Sequence, residues 1–148
     1  MTSKERVLQR ERDRGRMAAK ELQTRAPEMT GTEIIAEEGK VPAFDPKKDY
    51  TGWSAGWPVA DEDQVWLLIK PHNAAHYPGR PSSLRALWGL THTTDPAKAK
   101  PWVSPNGTSG LYMTGECCTE NGSTYRSTHD DNPYAPSAYP EWWEIIAV

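Results

Sequence analysis

One spacing occurs twice in this chain and limits what it can fold into. Trp53 precedes Gly56 by three residues, and Gly56 precedes Trp66 by ten; Tyr112, Gly115 and Tyr125 repeat the same intervals. Each copy then closes on a similar tetrapeptide, Leu87-Trp88-Gly89-Leu90 in the first and Trp142-Trp143-Glu144-Ile145 in the second. Only the stretch before the closing tetrapeptide differs in length. A doubled interval of this kind marks a duplicated supersecondary unit.

The local signals inside each copy are those of a small antiparallel β-unit. The first copy predicts strands at Pro58–Ala60, Gln64–Ile69 and Ala86–Leu90, with a turn at Asp61-Glu62-Asp63. The second predicts Glu116–Thr119, Ser123–Thr128 and Glu141–Val148, with a turn at Asn121-Gly122. Asn-Gly is a strong hairpin signal because both central residues of a type I′ turn take positive φ. The polar segment Thr91–Lys100 reads as the linker.

Upstream of position 41 the character changes. Residues 3–25 are rich in Leu, Gln, Glu, Lys, Arg, Met and Ala and predict a helix with Ser3 as cap. Its apolar positions are sparse, so it is marginal alone and suits docking on another surface. Pro27 interrupts, and a short helix follows with Thr30 and Glu33 as a capping box and Gly39 as its C-terminal stop. The expected fold is therefore mainly β with an N-terminal helical leader and two tandem, small, antiparallel three-stranded β-modules. The expected boundaries are 1–40 for the leader, 41–92 for the first module and 93–148 for the second.

Charge is split in the same way. Residues 1–25 carry eight Lys or Arg against four Asp or Glu, whereas the remainder carries nine against sixteen. The acids and bases of the leader are interspersed, which reads as a solvated helix face, so nucleic acid is not an expected partner. No apolar run is long enough to span a membrane, and the N-terminus lacks the apolar core of a secretory signal. The adjacent Cys117 and Cys118 offer no disulfide framework.

Seven Trp and six Tyr against one Phe favour rings that serve surfaces as well as cores. Trp53, Trp66, Trp88, Trp102, Tyr112, Tyr125 and Trp143 are expected in the core. Successive strand residues face opposite sides, so with Trp143 inside, Trp142 is expected outside. Tyr134, between Pro133 and Pro136, is the second candidate platform, with Asn132 and Asp131 as polar partners; Tyr77 is its counterpart in the first copy, near His76 and Arg80. An exposed ring offers a face to the C–H side of a pyranose.

At these residues the chain resembles a known family. Pro101-Trp-Val-Ser-Pro-Asn-Gly107, Tyr112-x-x-Gly115, Asn121-Gly-x-x-Tyr125 and Asp130-Asp-Asn-Pro-Tyr-Ala-Pro136 resemble the chitin-binding type of carbohydrate-binding module, families 5 and 12. More closely, they are similar to tandem copies in the tail-fibre-region proteins of bacteriophages and prophages. Members of the family usually have Gly-Asp where this chain has Gly56-Trp57 and Gly115-Glu116. The resemblance implies a non-enzymatic virion protein, assembled in the host cytoplasm, that binds host-surface glycan. It also implies contacts to other virion proteins through residues 1–29, and it allows a homo-oligomer. A structural virion subunit that uses the same rings for protein docking is the alternative.

Other chemistries fit less well. His72 and His76, or Cys117, Cys118 and His129, lack the helical or tetrahedral spacing of a zinc site. Asp61, Glu62, Asp63, Asp130 and Asp131 lie in units too small to hold two carboxylates across a deep cleft. No catalytic residue, metal or cofactor is expected.

Overall fold

The computed structural model describes residues 2–146. Helix α1 spans Ser3–Arg25. Its cap is Thr2 rather than Ser3, because the Thr2 hydroxyl accepts the Glu5 N–H while the Glu5 carboxylate accepts that of Thr2. Shifting the cap by one residue brings Glu5 to the third helical position, where the reciprocal bonds of a capping box close. Leu22 is its buried residue, whereas Val7, Leu8 and Met17 are exposed.

Helix α2, Gly31–Ala36, carries the expected capping box of Thr30 and Glu33. Gly39 does not stop it. The helix ends at Glu37, and Gly39 lies inside the following 3₁₀ turn, Glu38–Lys40. Residues 26–40, read in the sequence as leader, belong to the folded body. Ala26, Ile34 and Ile35 are buried together with Val65 of the first sheet. Arg25 donates to both carboxylate oxygens of Glu37, and the Thr94 N–H donates to the Thr32 hydroxyl. α2 thus fills one face of a sheet that its own module cannot cover.

The first sheet has the order β1 (Pro58–Asp61), β2 (Gln64–Leu68), β3 (Trp88–Leu90), all antiparallel. The second has β4 (Lys100–Pro101), β5 (Cys117–Glu120), β6 (Ser123–Ser127) and β7 (Trp143–Ile146). Each of the six predicted strands lies within two residues of its expected bounds, except that the end of the last falls on residues 147–148, outside the described residues; β4 is not among the predicted strands. The expectation of two three-stranded modules is corrected in the second. β4 pairs with β5 in parallel, Lys100 with Cys118 and Pro101 with Thr119. The first module holds the equivalent as a single parallel bridge, Ala43 to Ala60, flanked by Phe44 N–H donating to Ala60 O and Ala60 N–H to Pro42 O. Proline has no N–H to give a ladder, so Pro42 and Pro101 keep both pairings short.

Both hairpins turn through a pair of left-handed residues. Asn121 and Gly122 have φ of 52° and 81°, and Glu62 and Asp63 have 50° and 61°. The acidic turn therefore adopts the geometry of the Asn-Gly turn without a glycine. Gly56 and Gly115 explain the glycine in the repeated interval: their φ values are 92° and 94°, and their N–H groups donate at 2.8 Å to Leu68 O and Ser127 O. A side chain at either position is strained. Gly115→Ala is expected to cost about 1–2 kcal/mol in urea unfolding. Gly56→Ala is expected to cost more, because its Cβ would stand 3.3 Å from Pro27.

Three apolar clusters result. Trp66 and Trp88 pack with Phe44, Val59, Leu68 and Tyr50 in the first module, and Tyr112 and Trp143 pack with Cys118 in the second. Trp53, Trp102 and Tyr125 are half-buried at the margins of these clusters. Tyr50, absent from the expected core, is fully buried. The modules are joined side by side: Val103 packs against the first cluster, Gln64 donates to Pro101 O at 2.8 Å, and Arg85 donates to Ser104 O while lying 5.1 Å over the Trp66 ring.

Candidate functional site

The loop from β6 to β7 gathers three aromatic rings and an imidazole on the surface of the second module. Trp143 pairs with Ser127 in the register in which Trp88 pairs with Leu68, so it points into the core. Trp142 precedes it on the opposite side and is half-buried. Its indole lies 4.3 Å from the His129 ring at an interplanar angle of 7°. Tyr134 meets it edge-on at 5.3 Å and Tyr139 at 5.6 Å, and the two tyrosines stack on each other at 4.9 Å. Tyr134 and Tyr139 are 42% and 37% exposed. The result is a contiguous aromatic ledge whose hydroxyls and imidazole supply hydrogen-bonding groups at its edges.

Asn132 does not stand at the rim of this ledge as expected. It is fully buried and acts as the strut of the loop. Its amide donates to the Ser127 hydroxyl at 3.0 Å and to Trp142 O at 3.4 Å, and its carbonyl accepts the Tyr134 N–H at 3.1 Å. Asn-Pro favours this kind of Asx turn, and that signal outweighs the reading of Asn132 as a ligand contact. Two further bonds fix the rings from below. The Trp143 Nε1–H donates to Tyr134 O at 3.0 Å, and Ser137 N–H donates to the Glu120 carboxylate at 2.9 Å. Asp131 is exposed with a φ of 52° and is the acidic group next to the ledge.

The first module does not repeat this arrangement. Tyr77 is exposed, with its ring centre 5.4 Å from that of the buried His72 and the two planes perpendicular. Arg80, expected beside Tyr77, instead pairs with Asp61 at 2.6 Å and Glu62 at 3.7 Å. Tyr139 and His129 were not singled out as platform residues from the sequence. The run Tyr139-Pro-Glu-Trp142 carried a signal for Tyr139, since a proline-initiated turn just before an outward-facing Trp brings the two rings together.

The remaining polar clusters are engaged structurally. Asp130 accepts the Thr114 N–H at 3.0 Å, and this bond holds its carboxyl below the usual range. Burial raises the Asp61 carboxyl, and the nearby Arg80 opposes that shift. Burial pushes the Cys118 thiol up to about 12, far from the value of a reactive thiolate. Among the described residues no group of three or more His, Cys, Asp or Glu is placed to hold a metal ion, and no helix is long and apolar enough to cross a membrane. No family model matches the chain, and no curated protein matches it.

Proposed function

We propose that the ledge formed by Tyr134, Tyr139 and Trp142 is a glycan-binding platform, and that the chain is a non-enzymatic virion protein of phage type that attaches to host-surface polysaccharide. The observation that carries the binding role is the contiguity of these rings on a loop braced by Asn132. A braced aromatic surface loses little conformational entropy when a pyranose stacks on it. His129, Asp131 and the tyrosine hydroxyls offer the few polar groups that orient a sugar. The virion setting follows from the resemblance of the second copy to tail-fibre-region modules. Single-site binding of this sort is weak and gains from repetition along a polymer.

Purified protein is expected to be retained on chitin or on bacterial cell-wall preparations. Trp142→Ala should reduce retention at least about tenfold, the equivalent of about 1.4 kcal/mol. Tyr134→Ala and Tyr139→Ala remove exposed rings and provide the same test with less risk to the core. Retention unchanged by all three would move the site elsewhere.

A docking role in the virion has its own support in α1. Val7, Leu8 and Met17 stand exposed along a helix held to the body by its last turns, as expected of an arm that attaches to other virion proteins through residues 1–29.

A further inference from the structure

The repeated aromatic-x-x-Gly turn sends its ring to different places in the two modules. In the second, Tyr112 is buried, its ring 3.7 Å from His92, and its N–H donates to Asn132 O at 3.0 Å. In the first, the loop is bonded instead by Tyr50, whose N–H donates at 2.7 Å to the carbonyl of His72, the residue before the Asn73 that matches Asn132. Tyr50 takes the core position, and Trp53 is left half-exposed at the surface. Its ring lies 4.7 Å from Tyr50 and 5.5 Å from Trp57, a residue that stands where the second module has Glu116.

The C-terminal half of α1 crosses in front of these rings and leaves a cleft of about 420 Å³. Small-molecule sites have volumes of about 300–1,000 Å³. Trp53 and Trp57 form one wall, with the buried Tyr50 behind them, and Arg16, Lys20 and Gln23 of α1 form the other. The Lys48 ammonium stands 5.7 Å from the centre of the Trp53 ring at the edge of the cleft. Lys20 and Lys48 form no ion pair among the described residues. Asp45 is the one carboxylate in the lining, and it already accepts the Lys47 N–H.

We propose that this cleft is a second binding site, for a carboxylate-bearing pyranose such as a uronic-acid unit of a polysaccharide. The indoles provide the apolar wall that a sugar ring needs, and the cations on both sides balance the carboxylate. Arg16 already pairs with Asp13, and Lys20 and Lys48 are exposed, so a neutral sugar leaves them hydrated at no cost while a carboxylate gains their attraction; the cleft therefore favours the charged sugar. The two sites are independent in both residues and ligand.

Titration of the full chain with tetragalacturonate, followed by tryptophan emission and calorimetry, tests the assignment. Saturable binding is expected, at least about tenfold tighter than for maltotetraose, and weaker in 500 mM than in 50 mM NaCl because salt screens the charges. Trp53→Ala should abolish it. Lys48→Gln and Lys20→Gln change exposed side chains, leave the fold intact, and should each weaken it about three- to tenfold. Trp142→Ala should leave it unchanged. Equal affinity for the neutral sugar, insensitivity to both lysine substitutions, tighter binding of adenosine monophosphate, or loss in Trp142→Ala alone would each overturn the proposal. Failure of the chitin pull-down with uronate binding intact would overturn only the glycan role of the ledge.

Discussion

Asn132→Leu is expected to lower the stability of the protein by about 3 kcal/mol and to weaken glycan retention in the same variant. The side chain is fully buried and makes three hydrogen bonds, to Ser127, Trp142 and Tyr134. Each such bond contributes about 1 kcal/mol net, and a polar group left without its partner costs about 1–3 kcal/mol more. Leucine keeps the branched outline but is bulkier than asparagine, so overpacking at this buried site adds to the loss of polar pairing. The Tyr134 N–H loses its acceptor and the Trp142 carbonyl loses a donor, so the ledge loosens at two of its three rings. Urea unfolding measures the first effect, and retention on cell-wall polysaccharide measures the second. Asn132→Leu with full stability would mean that the loop is held mainly by the rings themselves.

The second large effect is in pH. Burial holds the His92 imidazole at about 4, below its ordinary value near 6.5, and the neighbouring Arg85 cation acts in the same direction; the bond to Gly110 O opposes both. A depressed value means that the folded protein refuses a proton that the unfolded chain accepts. The stability is therefore complete above about pH 6.5 and is lost as pH falls from there toward 4. Between pH 7.5 and 5 the loss is expected to be about 2 kcal/mol, at about 1.4 kcal/mol for each unit. Glu116 and Asp61 act in the opposite sense: burial raises both carboxyls, so their penalty is relieved on acidification, and the comparison with a histidine-free variant isolates the imidazole's share. His92→Gln keeps a donor for Gly110 O. It should be less stable at neutral pH, through loss of the stack on Tyr112, yet show a nearly flat profile over the same window. A profile unchanged by the substitution would place the titrating group elsewhere.

Much of this architecture is legible in the residues. The doubled interval locates both hairpins, because its glycine must adopt a conformation that other residues avoid and its second aromatic must sit on a paired strand. The Thr30–Glu33 box and the register of Trp88 and Trp143 are equally local. The parallel additions at Ala43 and Lys100–Pro101 are not, since short proline-bounded segments show no alternation to reveal a strand. The place of α2 against Val65 depends on a sheet face that exists only after folding. The exchange of Tyr50 for Trp53 in the core is a choice between neighbouring rings, which spacing alone does not resolve. For the site, a loop-borne Tyr134 follows from Pro133 and Pro136, whereas Trp142, expected outside by alternation, is half-buried and packs on the margin of the Tyr112–Trp143 cluster. The inward turn of Asn132 follows from hydrogen-bond needs that a surface reading overlooks.

The hairpins of the two modules keep one register from Gly56 and Gly115 through β2 and β6, whereas the path from Asn73 to Trp88 is four residues longer than that from Asn132 to Trp143. Both paths begin on an asparagine whose side chain accepts an N–H two residues on, and both end on a buried tryptophan. The stretch between these two fixed points differs in length and composition between the modules while the sheets keep one register. A module built this way separates heredity of the scaffold from novelty of the surface: new loops can be tried at one end while the fold is inherited intact at the other.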